Sequence, residues 1–138
     1  MSFDQTLTTS FKQDCLLGVQ NLSTDTLKIA LYTAEADLNA ATTVYSTANE
    51  VVGIGYVAGG NTLTGVTVLT SGTTAYVDFA DSTWNPASFT ARGALIYNAS
   101  KGNKSIAVLD FGSDKTATTS FTVQMPANTA TSALIRFA

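Results

Sequence analysis

From Thr26 to the C-terminus, the chain consists of short stretches in which β-branched and aromatic residues alternate with polar ones. The clearest are TLKIALYT (26–33), TAYVDFA (74–80), SFTARGALIYN (88–98), KSIAVLDF (104–111), TSFTVQM (119–125) and ALIRF (133–137), with weaker ones around 55–57, 61–63 and 66–69. Turn chemistry punctuates them at Gly59-Gly60, Ser71-Gly72, Trp84-Asn85-Pro86, 100–103, 112–114 and 126–128. Many short strands with Gly- and Asn-rich turns specify a mainly β domain, an antiparallel sandwich or barrel. Leu95–Tyr97 and Ile106–Leu109 are apolar on both strand faces, as a central strand covered on two sides requires. The Ala- and Thr-rich stretch 34–49 is expected to be a long loop with a helical turn.

One helix is expected ahead of the strands. Ser10 followed by Gln13 makes a capping box, and Phe11 and Cys15 then share a face, so a short helix is predicted over Phe11–Val19, within 10–20. Residues 1–9 are polar and weakly patterned, with Phe3 and Leu7 as their sizeable apolar side chains after Met1. They read as an arm that orders against a partner, with Phe3 and Leu7 as its contacts.

A chain of 138 residues is most simply one domain, 1–138, and at that size roughly 68% of the unfolded surface can be buried. Only 12% of the residues are charged, where about 25% is usual, so Thr, Ser, Asn, Gly and Ala must cover much of the surface, or another protein must. A net charge of -3 with scattered Lys and Arg provides no basic stripe and argues against nucleic acid as a partner. No apolar run approaches the roughly 18 residues of a spanning helix, so no membrane partner is expected. Met1–Gln5 has neither a basic nor an apolar leader region, and Cys15 is the lone cysteine. Both predict synthesis in a cytoplasm without an intramolecular disulfide.

Arg92 is the odd charge within an otherwise apolar strand. If 99–103 form the hairpin loop, antiparallel pairing sets Ile96 opposite Ile106, Ala94 opposite Val108 and Arg92 opposite Asp110. The expected result is a structural Arg92–Asp110 ion pair; the other reading is an arginine that meets a partner or ligand.

The chain has no histidine, which removes the usual general base, the commonest metal ligand and the familiar triads. Cys15 would have to be any thiol nucleophile, and its place on the inward helix face suits a small buried hydrophobe better. Asp78 with Asp81, and Asp110 with Asp114, are weak candidates for Ca2+ or for paired-carboxylate chemistry, against the reading of Asp as a turn cap. Trp84 is either a sugar-stacking platform or a core residue closing a strand end. The sequence thus leads to the expectation of no enzyme and no cofactor.

The segments LKIALYTAEADLNAATTVYSTANEV (27–51), GYVAGGNTL (55–63), 74–115 and ALIRF (133–137) resemble small structural proteins of tailed bacteriophages. In particular, the chain resembles the capsid cement, or decoration, proteins of podovirus-like heads, most specifically over 76–115. The resemblance implies a jelly-roll-like fold and a homodimer clamped on the outer surface of an icosahedral head. Its implied partners are the major capsid protein and a second copy of the chain. The alternatives are a neck, tail or fibre component, or a carbohydrate-binding jelly-roll module for surface attachment.

Overall fold

The computed structural model describes residues 3–126 and 132–137. The chain is mainly β, with antiparallel sheets and one short α-helix, as a β-sandwich requires. The strands are β1 (Thr6–Leu7), β2 (Leu27–Tyr32), β3 (Asn61–Thr62), β4 (Thr67–Ser71), β5 (Thr74–Asp78), β6 (Ser82–Trp84), β7 (Phe89–Asn98), β8 (Lys104–Ala117), β9 (Phe121–Val123) and β10 (Ile135–Phe137). They form a five-stranded sheet in the order β1-β8-β7-β2-β3, a three-stranded sheet β10-β5-β4 and a pair β6-β9. Part of the expected 126–128 turn lies outside the described residues.

Period-two side-chain alternation divides the core. Leu27, Ile29, Leu31, Ala94 and Ile96 face one hydrophobic cluster, while Ala30, Tyr32, Leu95, Tyr97 and Val108 face another. The central strands β2, β7 and β8 are therefore covered on both sides. Each fully buried Ile or Leu there stabilises the fold by about 1.5–3 kcal/mol.

The helix α1 spans Thr9–Leu17, and Thr8 caps it rather than the expected Ser10, accepting the Phe11 N–H at 3.3 Å. Tertiary pairing decides between the two candidate caps: the Thr8 N–H donates to the Ile106 carbonyl at 3.0 Å, which fixes where the helix leaves the sheet. Gly18, at φ 70, ends it in the left-handed conformation. Ahead of the helix, β1 pairs with β8, and Phe3 bridges to Leu38. The Phe3 ring lies over Gly93, where a Cβ would collide with it, and Leu7 packs against the main core. Phe3 and Leu7 are thus packed within the chain, where an arm ordering against a partner was expected, because β8 presents backbone groups that β1 satisfies.

The β7–β8 hairpin closes through a 3-10 turn at Ala99–Lys101. Near the turn the register follows expectation, with Tyr97 opposite Ser105 and Asn98 opposite Lys104. An irregularity then moves Ile96 opposite Ala107 and Gly93 opposite Asp110, and a larger one leaves Ala91 opposite Lys115. The expected pairings of Ile96 with Ile106 and Arg92 with Asp110 are therefore displaced. Asn98, fully buried, fastens the hairpin: its amide donates to Gln20 Oε1 at 3.0 Å and Asp25 Oδ2 at 2.8 Å. Lys101 completes the knot on Asp25 at 2.8 Å. Burial pushes the Asp25 pKa up, but the Lys101, Asn21 and Asn98 hydrogen bonds and the Lys101 charge outweigh it and hold the carboxyl below its usual range.

Residues 33–60 join β2 to β3 and wrap the second cluster. The stretch 34–49 is turns and isolated bridges, with no helical turn.

Candidate functional surface

The residues singled out from the sequence do not converge. Asp81 is exposed, and its Oδ1 accepts the Met125 N–H at 2.7 Å, linking the β6 end to the chain after β9. Asp110 caps its own turn by accepting the Gly112 N–H at 2.8 Å, and Asp78 lies in β5 opposite Thr67. Asp114, not Asp110, meets Arg92, with Nη1 to Oδ1 at 3.5 Å and both side chains partly exposed. Such a pair is worth about 0–1 kcal/mol. Among the described residues, no three His, Cys, Asp or Glu side chains come together as a metal site, and no helix is long and apolar enough to cross a membrane.

Trp84 is 4% exposed and lies between Tyr56, stacked at 6.2 Å between centroids, and Phe121, edge-on at 6.2 Å. It is a core residue, so the stacking platform for a sugar lacks its aromatic face. Cys15 is half-buried against the core, and burial, reinforced by the Asp14 charge, raises its thiol pKa. That is opposite to the activation a nucleophile needs.

The arrangement that sequence reasoning missed surrounds Glu50. This buried carboxylate accepts the Tyr45 hydroxyl at 2.6 Å, the Tyr56 hydroxyl, and the Gly59 N–H at 2.8 Å. The Tyr56 oxygen accepts the Leu31 N–H at 2.9 Å, and Tyr97 donates to the Gly59 carbonyl at 2.7 Å while stacking on Tyr45 at 4.6 Å. Burial, helped by the Glu50 charge, pushes Tyr97 up to about 12. Burial foremost also raises Tyr32, Tyr45 and Tyr56. The phenols therefore remain donors, and most of the carboxylate's acceptor positions are taken. The cluster is an anchor for the 33–60 connection. One signal was available: Glu50 is the only charged residue between Asp37 and Asp78, and a lone charge in such a stretch must be answered.

What the anchor holds is exposed and apolar. Immediately after Glu50, Val52, Ile54 and Val57 are 94%, 71% and 76% exposed. Their backbone is fixed on both sides, since the Ser88 N–H donates to the Ile54 carbonyl at 2.9 Å and Tyr56 points inward to Glu50. At Gly55, φ 86, a Cβ would overlap the Pro86 carbonyl, and at Gly60, φ 77, the Ile29 carbonyl. The loop therefore lies directly on the neighbouring backbone. No charged residue occurs from Val51 to Val77. A second exposed apolar set comprises Leu16, Leu17, Val68, Leu69 and Phe137, on α1 and the three-stranded sheet.

No protein-family model matches the chain, and comparison with curated proteins and with solved structures finds no match either.

Proposed function

We propose that this chain is a virion structural protein, a decoration protein that binds the outside of a tailed-bacteriophage head as a dimer and reinforces the shell against internal DNA pressure. Two things support the reading: the resemblance, which runs from about residue 10 to the C-terminus and is most specific over 76–115, and a surface whose chemistry suits a protein partner. The observation that carries it is the rigid display of Val52, Ile54 and Val57 within an uncharged stretch. A monomer seldom leaves such a display exposed unless something covers it.

Magnitudes favour a multivalent partner. Burying the three side chains contributes at most about 1.5–3 kcal/mol each. Association costs roughly 4–15 kcal/mol in lost freedom, so one loop holds weakly by itself. Two loops on a dimer gain from effective concentration, and a repeating shell offers each its own copy of the same site. The glue is then distributed over many weak bridges that must break together before the shell ruptures.

The testing experiment is the copy number of the polypeptide in purified particles of its source, by quantitative mass spectrometry against the major shell protein. A number comparable with the shell subunit supports decoration. A handful per particle assigns the chain to a neck, tail or fibre, and absence from particles overturns the reading.

A further inference from the structure

We infer that the free edge of β4 is where two copies of this chain meet, through antiparallel pairing of Thr67–Ser71 with itself about a two-fold axis at Leu69. Among the described residues, β4 is hydrogen-bonded only to β5, and all five of its residues are exposed. An unpaired edge is a template for another strand, and natural proteins blunt it with lysine, proline, a bulge or very short length. The other sheet edges are short: β1 and β3 have 2 residues each, β6, β9 and β10 have 3, and β10 carries Arg136. β4 has 5 residues and none of these protections.

The hairpin geometry fixes the register. β4 and β5 are joined by the two-residue turn Gly72-Thr73, with Gly72 at φ 59 and Ser71 opposite Thr74 as the closing pair. The closing pair exchanges hydrogen bonds with β5, as do Leu69 and Thr67 further along, so Val68 and Thr70 direct their N–H and C=O groups outward. Two copies of an antiparallel edge related by a two-fold at Leu69 bring Val68 against the partner's Thr70, and the exposed donors and acceptors match. No charge occurs in the segment, so two chains that each carry -3 meet there without like-charge contact.

The side chains agree with this occupant. Val68, Ala75, Val77, Ile135 and Phe137 line one side of a groove of about 340 Å³ whose other side is α1, through Phe11 and Cys15. A second β4 laid along the edge covers Val68 and extends the apolar wall into a six-stranded sheet. A seam of five residues falls short of the roughly 1,200 Å² of a standard interface, so the free dimer dissociates on dilution. The seam deepens the decoration reading by supplying its two-fold axis, yet it is tested on free protein, without particles.

In a Cys15→Ser background, Leu69→Cys places two thiols at the axis. Their Cα atoms lie about 4.5 Å apart in a non-hydrogen-bonded pair, within disulfide reach. Thr67→Cys, two residues off the axis, holds its thiols about 14 Å apart at 3.4 Å per residue. Mild oxidation is expected to link Leu69→Cys into a covalent dimer at least tenfold faster than Thr67→Cys. Equal rates, or no dimer from either, overturn the inference. Thr70→Pro provides an independent readout, because it removes an outward N–H and leaves the β5 ladder intact. Sedimentation of wild type across a concentration series is expected to show a dimer that Thr70→Pro loses, with circular dichroism unchanged. A wild type monomeric at every concentration, or an unaffected folded variant, contradicts it. If particles lack the polypeptide but Leu69→Cys still links, the decoration reading fails and the seam stands.

Discussion

The Tyr56 hydroxyl donates to the Glu50 carboxylate and, in the same position, accepts the backbone N–H of Leu31 at 2.9 Å. A single phenol therefore ties the apolar loop to the central strand β2. Replacing Glu50 with Ala strands the Tyr45 and Tyr56 hydroxyls and the Gly59 N–H, each of which hydrogen-bonds a charge worth roughly 1.5–3 kcal/mol. Because losses within one network overlap, Glu50→Ala is expected to destabilise the fold by about 3–5 kcal/mol in urea unfolding. Glu50→Gln keeps one acceptor oxygen and should cost less. A loss under about 1 kcal/mol for Glu50→Ala would show that the cluster is not an anchor.

The same phenols set an alkaline limit. Tyr97 keeps its proton up to about 12 in the folded state, whereas in the unfolded chain it ionises near 10. The unfolded state thus releases protons first as pH rises, and stability falls wherever the folded state binds more. The contribution is complete below about pH 10 and is lost as pH climbs toward the folded value. The urea midpoint should stay level from pH 7 to about 9.5 and drop between about 10 and 12. In Tyr97→Phe the drop should become shallower; an unchanged profile would sink this assignment.

Arg92 reaches Asp114 because β8 inserts extra residues between its pairings with Gly93 and Ala91. A double-mutant cycle on Arg92 and Asp114 should give about 0.3–1 kcal/mol of coupling that shrinks with added salt. The cycle on Arg92 and Asp110 should give less. The reverse ranking would restore the unbulged register.

Phe3 is half-buried against Gly93 and the second cluster. Phe3→Ala should therefore lower the unfolding free energy by about 2 kcal/mol, roughly half the cost at a fully buried aromatic site. A variant as stable as wild type would restore the reading of this segment as an arm that orders only against a partner.

Legibility followed the range over which each signal acts. The strands β2, β5, β7 and β8 were readable because alternation is local, and the two-sided apolar runs of Leu95–Tyr97 and Ile106–Leu109 do sit at the centre of the main sheet. The end of β8 was not, since Gly112–Lys115 is polar and pairs only because β7 runs alongside. The bulges left no mark in the hydrophobic pattern, which moved the partner of Arg92 from Asp110 to Asp114. The helix cap moved from Ser10 to Thr8 because both are good caps locally and only the bond to Ile106 separates them. The Glu50 cluster draws Tyr97 from a distant strand, and the exposure of Val52, Ile54 and Val57 depends on Gly55 and Gly60 lying against the Pro86 and Ile29 carbonyls, contacts that no local pattern announces; of the three, only Val57 falls in an expected weak strand.

The most direct test of the proposed decoration role is the binding of the free protein to isolated heads of its source that lack it, comparing wild type with a Val52→Ser, Ile54→Ser, Val57→Ser variant checked for an unchanged fold. The three positions are exposed, so stability should move by less than about 1 kcal/mol. The account predicts at least a tenfold rise in the concentration needed for half-saturation, about 1.4 kcal/mol per site. Equal binding by the folded variant would contradict it and place the contact elsewhere on the surface.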